Sequence, residues 1–108
     1  MITSSRPSDI LIVLTSLPDA VSAQKLATLL IERRLAACVN ILAPCQSVYR
    51  WQEKIEQATE IPLLIKTTAN AYTALEACIR KQHPYELPEI VAVPIDCGLP
   101  EYLGWVAA

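Results

Sequence analysis

The residues best equipped for chemistry fall in one short run, His83-Pro-Tyr-Glu-Leu-Pro-Glu89, which contains the single histidine of the chain. Imidazole and carboxylate are both metal ligands, and two prolines stiffen the chain between them, so little ordering entropy opposes their convergence on one ion. His83, Glu89 and Glu86 are therefore the candidate metal ligands. The structural alternative is a histidine that caps carbonyls at a helix end, with both glutamates merely solvated. A second constellation is Tyr49-Arg-Trp-Gln-Glu-Lys-Ile55. In an extended segment Tyr49 and Trp51 share one face and Val48 and Arg50 the other, giving aromatics that the local chain cannot bury. They suit either a binding platform or packing against a neighbouring subunit.

Other chemistries find little support. A soft-metal chaperone would place Cys-x-x-Cys after the first strand, where this chain has Thr15-Ser-Leu-Pro18. Phosphate-cradling loops want glycines, and the chain has two, Gly98 and Gly104. Base-stacking sheets want exposed aromatics, and there is no phenylalanine. No motif marks a nucleophile or acid to join the lone histidine, so no enzyme is expected and no organic cofactor. Cys38, Cys45, Cys78 and Cys97 form no C-x-x-C pair and read as reduced, mostly buried thiols. Cys38 and Cys45, an odd number of positions apart, would point to opposite faces of a regular strand and could not join.

These groups need elements to hold them. Ile10–Leu14 is a continuous apolar run that reads as a strand buried on both faces. Ser16 and Asp19 have capping-box spacing with Pro18 just inside a helix start, and the helix runs to about Arg33 with Ala23, Leu26, Ala27 and Leu30 on its inner face. Cys38–Gln52 and Ile55–Thr67 form a long hairpin between the second and third strands, joined near Glu53-Lys54, with Pro44 and Pro62 at edges or bulges. Asn70 caps a second helix, which turns Leu75, Cys78 and Ile79 inward and Glu76, Arg80 and Lys81 outward, and Pro84 stops it after His83. Glu89–Asp96 is the last strand, and the tail through Trp105 forms a helical turn. The order β-α-β-β-α-β predicts an α+β, ferredoxin-like split βαβ sandwich in one domain, residues 9–108, behind a flexible segment 1–8.

At 108 residues the chain holds one core, and with 53% hydrophobic and 19% charged residues it is not disordered. A net charge of -2 offers no basic field for nucleic acid or an anionic membrane. The first apolar run is too short for a signal-peptide core or a membrane span, so the expected location is cytoplasmic. Helices on one face of a sheet should leave polar residues on the other, yet the first and last strands are apolar throughout. Their second face is expected to be covered by other copies of the chain.

Four blocks then resemble one family, the CutA divalent-cation-tolerance proteins: Glu32-Arg-Arg-Leu-Ala-Ala-Cys-Val-Asn40, Tyr49–Ile55, Leu64-Ile-Lys-Thr-Thr68 and His83–Ile90. The resemblance implies a ferredoxin-like fold in a very stable, thermostable homotrimer, a role in tolerance or binding of divalent cations, copper above all, and no catalytic activity. Lys66, in the third block, joins Tyr49 and Trp51 as a trimer-interface or cleft residue. The family's copper ligands include a cysteine at the end of the first strand, the histidine before Pro-Tyr, and a nearby acidic residue. His83 and Glu89 match, whereas Thr15 stands in place of the cysteine and removes the soft ligand. The remaining set suits Cu(II) or another divalent cation, weakly bound, with removal of the imidazole costing binding and not stability. The alternative is a signalling trimer similar to PII proteins, whose inter-subunit clefts take a small ligand or a partner and no physiological metal.

Overall fold

The computed structural model describes residues 9–108; the expected flexible segment 1–8 lies outside the described residues. Along the chain run β1 (Ile10–Leu17), α1 (Ala20–Glu32), β2 (Cys38–Ile41), β3 (Cys45–Trp51), β4 (Lys54–Thr68), α2 (Tyr72–Gln82), β5 (Val91–Pro94) and α3 (Pro100–Ala107). The C-terminal half of β4 pairs antiparallel with β1, from Leu17↔Ile61 to Ile10↔Thr68, and on its other edge with β2. β5 takes the far edge of β1, so the strand order is β2-β4-β1-β5 in an antiparallel sheet. The N-terminal half of β4 pairs with β3. Those two strands leave the domain as an arm, and the molecule measures 52 × 26 × 24 Å.

Alternation in β1 and β4 decides which side is the core. Val13, Leu17, Leu63 and Ile65 point to one face and are almost fully buried beneath α1 (Ala23, Leu26, Leu30) and α2 (Leu75, Cys78, Ile79). Each such Leu or Ile contributes about 1.5–3 kcal/mol by leaving water. Both inward helix faces lie where the sequence places them. Ile10, of opposite parity, packs on the other face against Leu103 and Val106 of α3.

Several boundaries differ from expectation. β1 continues to Leu17 because its ladder with β4 does not stop at Leu14. Ser16 is thus a strand residue, Pro18 precedes the helix, and Asp19 is the N-cap, accepting from the Ser22 amide at 2.7 Å. That amide, with the Ser22 side chain, holds the Asp19 carboxyl below its usual range. α1 closes in a Schellman motif: Arg34 N–H reaches Ile31 O and Leu35 N–H reaches Leu30 O, with Arg34 at φ 57°. Ala71, not Asn70, occupies the N-cap of α2, and the Thr68 hydroxyl accepts the Ala71 amide instead.

The long second strand is broken at residues 42–44, around Pro44. Leu42 N–H donates to Pro62 O at 2.9 Å, so the donor that Pro62 lacks would have faced the same break. The last strand is shorter than expected and open: Val91 is 48% and Val93 52% exposed. The two-sided burial expected of the last strand is therefore not met within one chain. With half-buried Ile12, Leu14 and Leu64, whose register places them on the same face, these valines form an apolar ribbon beside α3. The tail is a full eight-residue helix started by Pro100. The cysteines are all free, but Cys78 alone is buried; Cys38 is half-buried and Cys45 and Cys97 are exposed, because the chain flanking each of those two is a break or a loop.

Trp51 pairs with Lys54 across the two-residue turn Gln52-Glu53, whose φ values are 49° and 71°. Both lie in the left-handed region that this kind of hairpin turn requires and that Asn-Gly fills at least strain. Glu53→Gly is accordingly expected to stabilise the fold by roughly 1 kcal/mol, read as a raised urea midpoint with unchanged m-value.

Candidate functional site

His83 follows the last turn of α2, where its backbone turns extended at ψ 134° ahead of Pro84. The ring does not face solvent; the residue is 7% exposed. Its Nε2 lies 2.6 Å from the Ser16 carbonyl of β1, and Tyr85 N–H reaches its Nδ1 at 3.1 Å. A carbonyl can only accept and an amide can only donate, so Nε2 carries the proton and the Nδ1 lone pair is occupied. His83 thereby clamps the 84–90 turn onto β1.

The turn so held forms one wall of a cleft of about 820 Å³, and the arm forms the other. Glu86 and Glu89 line it from the turn and Tyr49 and Trp51 from β3, so four of the residues singled out in the sequence do come together. Tyr85, Glu60 and Ser16 complete this part of the lining; Tyr85 lies within the run singled out in the sequence but has no role assigned there, Ser16 has the spacing of a helix cap, and Glu60 carries no signal. The Tyr85 ring rests against His83 with centroids 4.7 Å apart. Burial, then a hydrogen bond to Glu60 and the charge of that carboxylate, push the Tyr85 phenol up to about 12.

Lys66 does not join them. It lies opposite Ile12 and Cys38 in the sheet, with Nζ 5.6 Å from the Tyr102 ring centroid. Trp51 pairs with Lys54 at the other end of β4, roughly 40 Å along the strand at ~3.3 Å per residue. Thr15 is 1% exposed, and its hydroxyl has no hydrogen-bond partner among the described residues. It faces the side of the sheet that carries Val13 and Leu17, whereas His83 is reached through the backbone of Ser16. Among the described residues no three His, Cys, Asp or Glu side chains gather closely enough to hold one metal ion. The donor set therefore does not fit a closed metal site within one chain.

The family model for the CutA1 divalent ion tolerance protein matches residues 11–108. The chain belongs to the CutA1 family. It is 42% identical over 106 residues to the divalent-cation tolerance protein CutA of Pectobacterium atrosepticum, covering 97% of this chain and 96% of that one. Its fold is similar to that of the divalent cation tolerance protein Cut A1 from Thermus thermophilus, with a TM-score of 0.89, 44% identity and coverage of 91% and 95% of the two chains. A CutA of Archaeoglobus fulgidus, with a TM-score of 0.87, 36% identity and coverage of 90% and 94%, is called a periplasmic divalent cation tolerance protein. That relative overturns the cytoplasmic expectation, since a CutA of the same fold is called periplasmic. No helix among the described residues is long and apolar enough to cross a membrane. The CutA1 family's name denotes tolerance of divalent ions and no reaction.

Two substitutions check this geometry. His83→Ala strands the Ser16 carbonyl and the Tyr85 amide and leaves a void, so it is expected to cost about 2 kcal/mol or more in urea unfolding, contrary to the expectation that stability would be untouched. Thr15→Val, which keeps the shape and removes a buried unpartnered hydroxyl, is expected to stabilise by about 1 kcal/mol in the same measurement.

Proposed function

We propose that this protein is a non-catalytic homotrimer acting in divalent-cation tolerance through the cleft between the arm and the 84–90 turn. Family membership supports the tolerance role. The strand order β2-β4-β1-β5, with β2 and β3 as two pieces of one long strand, supports a split βαβ, ferredoxin-like domain. The apolar ribbon Ile12, Leu14, Leu64, Val91 and Val93 supports self-association, because a solvent-exposed strip of this kind on a small domain is relieved by burial against copies of itself.

The observation that carries the ligand chemistry is the engagement of both His83 nitrogens. A metal could take Nδ1 only by displacing the Tyr85 amide, and Nε2 only by displacing its proton and the Ser16 carbonyl. Cu(II) or another divalent cation is then left to the oxygen donors Glu86 and Glu89 at the cleft, hence weak binding without a soft ligand. The aromatic lining of the cleft favours a second reading, a small organic ligand held by the trimer.

Calorimetric titration of Cu(II) is expected to give a Kd of roughly 10 µM or weaker, abolished in the Glu86→Gln/Glu89→Gln double variant while light scattering still finds a trimer. Sub-micromolar binding that survives those changes would overturn the carboxylate assignment. A folded monomer at micromolar concentration would overturn the assembly.

A further inference from the structure

We infer that the cleft between β3 and the 84–90 turn is a binding site for a small molecule bearing an alkylated ammonium group. The inference deepens the small-ligand reading above and rests on that cleft being open in the assembled protein. Three rings, Tyr49, Trp51 and Tyr85, line the space together with three carboxylates, Glu60, Glu86 and Glu89. No lysine or arginine stands among the described residues that line it. The two kinds of wall are complementary in what they attract. An aromatic face carries negative quadrupole density and draws a cation, most strongly when the cation's own surface is greasy enough to desolvate cheaply. The carboxylates add long-range attraction and fix the sign.

The same observations discriminate against the two neighbouring ligand classes. Tight binding of an inorganic divalent ion needs several donors at about 2 Å around one point, and no such cluster exists among the described residues, so a divalent ion held by Glu86 and Glu89 is weakly bound and leaves most of the cleft unfilled. The volume, about 820 Å³, is that of a site for a small organic molecule. An anion would meet three carboxylates with no cation to offset them.

The rings are also presented and not merely exposed. Tyr85 is packed against His83, and Nε2 of that imidazole lies 2.6 Å from the Ser16 carbonyl of β1. The Tyr85 amide also donates to Nδ1 of the same imidazole at 3.1 Å. One ring is thus held in place before a ligand arrives. Tyr49 and Trp51 stand two residues apart on β3, so period two turns both the same way. Within one chain they remain 44% and 39% exposed, so no described residue of the same chain fills the space in front of them.

The test is an NMR titration of the labelled trimer with tetramethylammonium chloride, with tert-butanol as the uncharged counterpart of similar bulk and sodium propionate as the anion. Tetramethylammonium should shift the Trp51 indole and the amides of residues 84–90 at concentrations at least tenfold lower than tert-butanol does, and propionate should shift neither. Trp51→Ala should weaken that binding by roughly tenfold. Glu86→Gln/Glu89→Gln, which preserves the shape, should weaken it comparably and abolish its dependence on salt. Equal affinity for the charged and uncharged probes would overturn the ammonium assignment while leaving a small-ligand cleft in place. Tighter binding of propionate would overturn it by sign. Perturbation by none of the three, in a protein that light scattering shows to be a trimer, would overturn both this inference and the open cleft on which it rests.

Discussion

A strand has two edges, and the way β4 spends its edges organises this molecule. Over Ile61–Thr68 both are used, by β1 along the whole of one side and by β2 on the other over Leu63–Lys66. Doubly paired, with Leu63 and Ile65 driven under the helices, this half becomes the middle of the domain. Over Lys54–Glu60 the β2 side is taken by β3, and the opposite edge receives no strand among those described. The change occurs where Pro62 interrupts the donors and the chain between β2 and β3 detaches. A continuous backbone hydrogen-bonded in two regimes gives a compact body and a projecting arm. Only a projecting arm could leave a cleft beside the 84–90 turn.

His83 is the second fixed point. Its imidazole is a crosslink between elements distant in sequence, using one donor and one acceptor on backbone groups. A buried polar ring satisfied at both nitrogens is stable where it lies, and every step toward metal coordination must first unmake one of those bonds. The run that looks most like a ligand set thus owes its rigidity to the imidazole's being already occupied. Glu86 and Glu89 are left at the surface the clamp creates. A histidine beside prolines and glutamates need not touch a metal to be indispensable to a site.

The parts legible in the sequence are those that write a period. Ala23, Leu26, Ala27 and Leu30 repeat with the helix, as do Leu75, Cys78 and Ile79, and both inner faces follow. Pro44 marked the break between β2 and β3, whereas Pro62, expected at an edge or bulge, lies inside β4 opposite Ser16, where the donor it lacks would have faced that break. Ser16 misled because a capping-box spacing also occurs by chance at a strand end, and eight ladder pairs outweigh one cap. The partners of His83 were illegible because backbone carbonyls and amides are present at every residue and leave no mark. Glu60 was hidden for a related reason, lying on a strand far along the chain from the turn it meets through Tyr85. The apolar last strand stated a demand for cover and not its source: Val91 and Val93 lie open among the described residues.

The arm also sets the timescales on which different parts of the molecule open. A lone two-stranded ribbon is marginal in water, and β3 has a mostly exposed pattern, with Ser47 its half-buried exception. In a free chain its amides are held by one partner strand, so they exchange with solvent through local fraying, whereas those shared by β1 and the C-terminal half of β4 exchange only when the core opens. One wall of the cleft is thus drawn from the least protected part of the fold and the other is clamped to its centre. Arrival of a molecule in that space, or of a neighbouring subunit against the arm, registers first as slowed exchange along β3, well before the body of the protein changes at all.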